Sequence, residues 1–303
     1  MVWLLFLASS AVVVLAATKL AEYADVIAVR TRLGGLVIGT IFLAGATSLP
    51  ELIASISSFR AGVPNLAAGN FLGSNMTNIA LLAVVDLFNR QAPLLRTVAI
   101  SHSLTAALAT LLMLVAVISM VLGDTPAIGW VGLDSLLIIA LYFAGIWVMQ
   151  RETQGPGHVA PPTMEAADDF PTLRRGVIGF VLAAVVLMAA VPQLVSASTG
   201  IAELTGLGTG FVGTALLSFV TSLPELVAVI AAVRLGSFDL AVGNLLGSNV
   251  FNMFGMAISD FFSRRAQIPL FRTRLVSYPG DVLPGNVPAL PARHRTVVSA
   301  LSK

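Results

Sequence analysis

Long apolar runs alternate with short polar ones along the chain. Runs of roughly 17 to 25 apolar residues are long enough to cross a bilayer core. They predict helices near 2–18, 33–59, 64–88, 97–121, 128–150, 176–195, 207–233 and 238–262, eight membrane spans in all. Between the fifth and sixth, Arg151 to Arg175 is rich in Pro, Gly, Asp and Arg and reads as a hydrophilic linker. The first run, Val2 to Ala17, has no basic stretch ahead of it and more spans behind it, so it reads as a transmembrane helix and not as a signal peptide. The pattern predicts an all-α polytopic membrane protein.

A duplication is written into this pattern. Thr47-Ser48-Leu49-Pro50-Glu51 recurs letter for letter as Thr221-Ser222-Leu223-Pro224-Glu225, and each copy is followed at the same distance by Gly-Asn-x-x-Gly-Ser-Asn. Aligned without gaps, 47–78 and 221–252 agree at 19 of 32 positions. Five spans precede the linker and three follow it, so with short loops the two copies enter the bilayer in opposite senses, an inverted repeat. The predicted divisions are a first repeat over 1–150 with its motif block at 39–88, a linker at 151–175, a second repeat over 176–262 with its block at 207–262, and a tail at 263–303.

The repeated residues carry polar chemistry into the membrane. A helical proline has no N–H to donate and clashes with the carbonyl four residues back, so Pro50 frees the Ala46 carbonyl and Pro224 that of Val220. In lipid such carbonyls need another partner. Thr47 and Ser48 lie four and three residues before Glu51, which puts three side-chain oxygens on one helical face beside the break. Ser74 and Asn78 share a face of the third span, and Thr221, Ser222, Glu225, Ser248 and Asn252 repeat both arrangements. A hard cation such as Ca2+, which takes six to eight oxygen ligands, suits this set. Burying one ionised carboxylate at the bilayer centre costs about 2.5–3.5 kcal/mol on insertion scales. No Lys or Arg stands in the motif spans near Glu51 or Glu225, so the compensating charge is expected from outside: one divalent cation, several Na+, or protons.

Composition agrees: 57% of the 303 residues are hydrophobic, 11% are charged, and the mean hydropathy is +0.92. The absence of cysteine removes disulfide and thiolate-metal chemistry. Cytoplasmic loops are enriched in Lys and Arg. Lys19, Arg30, Arg32, Arg90, Arg96, Arg151, Arg174 and Arg175 fall on one predicted side, which puts the N-terminus outside and the linker in the cytoplasm of a plasma (inner) membrane. Arg60, Arg264, Arg265, Arg272 and Arg274 run against that rule.

The two motif copies resemble those of the sodium/calcium exchangers and their relatives in the cation/calcium antiporter superfamily, whose α-repeats carry G-T-S-x-P-E and G-N-x-x-G-S-N-x-x-N. The resemblance implies an antiporter that moves Ca2+ against Na+ by alternating access, with a bilayer, Ca2+ and Na+ as partners and with no cofactor, nucleic acid or enzymatic activity. It implies ion ligands at Thr47, Ser48, Glu51, Ser74, Asn78, Thr221, Ser222, Glu225, Ser248 and Asn252, and backbone carbonyls near Ala44 and Ser218. Ala46 and Val220 stand where the family has Gly, both motifs end in Asn where some relatives have Asp, and relatives have ten spans. Ca2+/H+ exchange is the alternative, and an inactive, truncated homologue is a third reading.

Plainer roles fit other positions. Gly69, Gly73, Gly243 and Gly247 read as helix-packing positions. Asp86 and Asp260 each lie four residues before an Arg, Arg90 and Arg264, and read as interfacial ion pairs. Trp3, Trp130 and Trp147 read as interface anchors. Asp134 and His102 stand outside the site, and a hydrolase built on Ser74 or Ser248 with His102 would leave the duplicated Glu unexplained. The copies agree through Arg96-Thr97 and Arg272-Thr273 and then part abruptly. The proline-rich, basic stretch 275–303 is therefore expected to be disordered, as after a frameshift or early stop.

Overall fold

The computed structural model describes residues 1–31, 43–88, 94–122, 126–128, 131–153, 171–234 and 238–262. Nine helices are labelled among them: α1 (Val2–Thr31), α2 (Leu49–Arg60), α3 (Pro64–Phe88), α4 (Leu94–Leu122), α5 (Leu133–Thr153), α6 (Leu173–Thr205), α7 (Thr209–Thr221), α8 (Leu223–Arg234) and α9 (Phe238–Asp260). Each predicted span meets a described helix, the second only from residue 43 onward. The tail, the linker residues 154–170, Trp130, Arg90 and Arg264 lie outside the described residues.

Shifting the first half by the repeat offset lays α1 on α6, α2 on α8 and α3 on α9. The symmetry organises the packing: α1 and α6 form the most extensive helix pair, with Val13 and Leu20 fully buried against Leu187, Leu194 and Ile201. Both run past their predicted ends. At about 1.5 Å per residue a 30-residue helix is about 45 Å long, more than the roughly 30 Å hydrocarbon core. Helix formers and the Lys19–Glu22 ion pair, 2.6 Å, carry α1 beyond its apolar part. A second core joins α3, α4, α5 and α9 through Phe71, Leu112, Ile138 and Met253.

Among the described residues five helices are long and apolar enough to cross a membrane, α1, α3, α4, α5 and α6, and α7 with α8, bent by 41°, make up to a sixth as a broken span or a re-entrant loop; α9 is not among them, so the described helices do not reach the eight spans expected. A second expectation also needs correcting. The fifth span was placed from 128, but Ala127–Ile128 and Val131–Gly132 form a short antiparallel hairpin and α5 begins at Leu133. The ion pair expected between Asp260 and Arg264 lies outside the described residues; Asp260 itself is fully buried, and its Oδ2 accepts from the Gly132 N–H at 2.9 Å and the Ser135 hydroxyl at 3.0 Å, tying the end of α9 to the start of α5. Those two donors would otherwise be stranded, which is what draws the carboxylate inward. Asp134, buried at the start of α5, accepts from the Ser135 N–H at 3.0 Å.

The exterior is studded with exposed apolar residues, among them Leu4, Leu15, Leu87, Val121, Leu182 and Phe211, as expected for a lipid-facing surface. Trp3 and Trp147 are half exposed, and the Arg151 guanidinium lies 3.7 Å over the Trp147 ring, an arrangement suited to the bilayer interface. Hydroxyls away from the centre bond back to their own helix, as Ser10 does to the Phe6 carbonyl at 2.6 Å and Ser198 to that of Leu194 at 2.9 Å.

Candidate functional site

Two matching helix breaks build the centre. Residues 43–47 are helical, Ser48 leaves the helix at φ −88°, ψ 7°, and α2 restarts with Pro50 in its first turn. In the second copy Ser222 sits at φ −88°, ψ 1° between α7 and α8, with Pro224 in the equivalent place. Both serines occupy the sparsely allowed bridge region. The prolines fit there because first-turn N–H groups have no helical partner in any case. A π-helical turn over Gly213–Leu217 lies one turn ahead of the second break.

Close helix contact brings the copies together. A Cβ at Gly73 would lie 2.5 Å from the Ser218 hydroxyl and from the Thr214 carbonyl oxygen, and one at Gly213 would lie 2.5 Å from the Leu66 carbonyl oxygen. A Cβ at Gly69 would collide with the Gly210 carbonyl oxygen. Glycine is thus required where α3 crosses α7, and the packing role read for Gly69 and Gly73 holds. Gly243 and Gly247 are both buried in α9.

Glu51 and Glu225 are fully buried. Glu51 Oε1 accepts from Ser222 Oγ at 3.2 Å and from Ser74 Oγ at 3.3 Å, and Glu225 Oε1 accepts from Ser48 Oγ at 3.2 Å. Each carboxylate is therefore held by the serine at the other copy's break. Thr47 Oγ1 lies 3.3 Å from Ser248 Oγ, and Asn78 and Asn252 donate through Nδ2 to Asn249 Oδ1 and Asn75 Oδ1, both at 3.0 Å. Besides Asn244 Oδ1, four buried side-chain oxygens have no hydrogen-bond partner among the described residues: Glu51 Oε2, Glu225 Oε2, Asn78 Oδ1 and Asn252 Oδ1. They fall into two pairs exchanged by the repeat. Among the described residues no Lys or Arg forms an ion pair with either glutamate. No group of three or more His, Cys, Asp or Glu is found among them; the donors the centre holds are the hard oxygens of carboxylate, hydroxyl and amide side chains.

The ten side chains expected from the sequence all lie in this buried centre. The Ala44 and Ser218 carbonyls are differently placed. Ala44 O accepts from the Ser48 N–H at 3.0 Å and the Thr47 hydroxyl at 3.1 Å, and Ser218 O from the Ser222 N–H at 2.9 Å and the Thr221 hydroxyl at 3.2 Å. A carbonyl has two lone pairs, and both are engaged here. His102 stands apart, buried on α4 with Nε2 3.4 Å from Asp239 Oδ1.

Asn70 and Asn75 of α3 and Asn244 and Asn249 of α9 are not singled out by the sequence reading. Asn70 Nδ2 donates to the Glu51 backbone carbonyl at 3.2 Å, and its Oδ1 accepts from Thr221 Oγ1 at 3.2 Å, joining the first break to the second. The equivalent Asn244 is buried with both amide atoms unpartnered. The signal for Asn70, Asn75, Asn244 and Asn249 was their repetition within Gly-Asn-x-x-Gly-Ser-Asn.

The sodium/calcium exchanger protein family matches residues 1–150 and 175–277, both halves of the duplication. The chain belongs to this family. It is accordingly an integral membrane antiporter and not an enzyme. It is 29% identical over 255 residues to the inner membrane protein YrbG of Escherichia coli, covering 80% of this chain and 73% of that one. It is also 29% identical over 242 residues to the putative antiporter CaxA of Alkalimonas amylolytica, covering 77% and 72%. Among solved structures, the H+/Ca2+ exchanger CAX shares the fold with a TM-score of 0.68 at 17% identity, covering 87% of this chain and 69% of that chain.

Proposed function

We propose that this chain exchanges Ca2+ for Na+ by alternating access at one site held by Glu51 and Glu225, with Thr47, Ser48, Ser74, Asn78, Thr221, Ser222, Ser248 and Asn252 around them. The observation that carries the reading is that Glu51, Glu225, Asn78 and Asn252 each hold a buried, unpartnered oxygen, two from each repeat. Unmade hydrogen bonds are expensive in a buried site, about 1–3 kcal/mol each and more for charged groups. A bound cation removes that cost at all four oxygens together.

Charge balance selects the cargo. Two carboxylates with no basic partner are neutralised by one Ca2+, by two Na+ or by two protons, and these loads then compete for the same oxygens. Such competition suits exchange, since an empty site would leave two buried negative charges in a medium that disfavours them. The Asn amides offer neutral oxygens with no titratable proton, which favours Na+ over a proton relay. In this reading the halves 1–150 and 176–262 rock about the site, with the N-terminus outside and the linker in the cytoplasm.

The test is Ca2+ uptake into inverted vesicles under a Na+ gradient and a pH gradient applied separately. Uptake driven by Na+ at matched pH is expected. Uptake driven by the pH gradient with Na+ absent overturns Na+ coupling in favour of Ca2+/H+ exchange.

A further inference from the structure

An amide side chain beside a cation has two ends that behave oppositely: its oxygen attracts the ion, and its NH2, the positive end of the dipole, repels it. Something must therefore decide which end of Asn78 and Asn252 faces the site. In this fold each of the two is held by an asparagine of the opposite repeat. Asn252 Nδ2 donates to Asn75 Oδ1 at 3.0 Å, and Asn78 Nδ2 donates to Asn249 Oδ1 at 3.0 Å. The offset that carries 75 to 249 also carries 78 to 252, so the two bonds are copies of one device. All four side chains are buried, so water does not compete for these groups.

We propose that Asn75 and Asn249 are positioning residues that fix the amides of Asn252 and Asn78 with their oxygens turned to the cation. By engaging the NH2 end, each leaves the opposite Oδ1 as the free atom, and those oxygens are the ones found unpartnered. The bond crosses between repeats in both cases, so each ligand's orientation depends on the half to which it does not belong. A rearrangement that separates α3 from α9 releases both amides together and lets the NH2 groups turn inward, which weakens the site in step with the conformational change. The inference rests on reading the centre as a cation site, and it assigns no cation contact to Asn75 or Asn249.

A double-mutant cycle on the purified full chain tests it, with Ca2+ binding measured by titration calorimetry and folding checked by thermal unfolding. Asn75→Leu removes the acceptor at similar volume. It is expected to weaken Ca2+ binding about tenfold, one hydrogen bond's worth of orientation, and to add less than about twofold when Asn252→Ala is already present, because contacting pairs are not additive. Combined with Asn78→Ala, which Asn75 does not hold, its full effect should persist. The Asn249→Leu cycle with Asn78→Ala should mirror this. Equal losses in all backgrounds, or no loss in the wild-type background, overturn the proposal. So does failure of both Leu variants to fold, since the bonds would then serve the scaffold and not the ligand. Glu51→Gln is the control: wild-type Ca2+ affinity in that variant sinks the site reading itself, whereas its loss alongside an unaffected Asn75→Leu sinks only this inference.

Discussion

At the scale of single residues, the unusual feature is that the hydroxyls at the helix breaks face the opposite repeat's carboxylate. Ser222 and Ser74 serve Glu51, whereas Ser48 serves Glu225. A hydrogen bond to a charged group is worth about 1.5–3 kcal/mol. Ser48→Ala is therefore expected to raise the KM for Ca2+ about tenfold or more, and Ser222→Ala somewhat less, because Ser74 still donates to Glu51. Vesicle uptake over a range of Ca2+ concentrations measures both, and equal KM values for wild type and Ser48→Ala would remove that serine from the site. These residues were legible because Thr, Ser and Glu stand at helical spacing beside a repeated proline. Asn75 and Asn249 were not. Their contacts are 171 and 177 residues away in sequence, and no helical period points across that distance.

At the scale of elements, the breaks and crossings follow from Pro and Gly. Proline positions foretold both breaks, and glycine spacing foretold the α3 crossing, because each acts through local sterics. Helix ends were less legible: α1 and α6 run past their apolar stretches, since a helix continues wherever polar helix formers permit. The hairpin before α5 and the burial of Asp260 were also missed, as both depend on α9 reaching that corner. Gly73→Val would place two methyl groups where Ser218 and Thr214 of α7 now sit. Overpacking of this kind costs about 1–3 kcal/mol. A lower unfolding temperature and loss of transport are expected, and an unchanged melting curve would contradict the crossing. Asp260→Ala strands the Gly132 N–H and the Ser135 hydroxyl, about 1–3 kcal/mol each. It should lower the unfolding temperature in the same assay without changing the KM for Ca2+ in the protein that remains folded.

At the scale of the whole molecule, the repeat is symmetric at the site and asymmetric around it. Val250 and Met253 of α9 are buried against α4 and α5, whereas their equivalents on α3, Met76 and Ile79, are 64% and 48% exposed among the described residues. The chain has no cysteine, so single-cysteine variants report cleanly. Spin labels on Met76→Cys and Ile79→Cys should be far more accessible to oxygen dissolved in the bilayer than labels on Val250→Cys and Met253→Cys, and equal protection would mean that the α3 face is covered. The duplication was readable at this scale because it is spelled in letters, and the unequal cover follows from the five spans read before the linker against three after it, whereas the residues left exposed by it are set by packing. The central claim is that the two repeats share one cation through Glu51 and Glu225, and exchange by the carboxamide variants tests it most directly. In Glu51→Gln and Glu225→Gln vesicles, with membrane insertion confirmed by immunoblot, Na+-driven Ca2+ uptake is expected to fall to background in each variant. Wild-type uptake in either single variant would contradict the shared two-glutamate site.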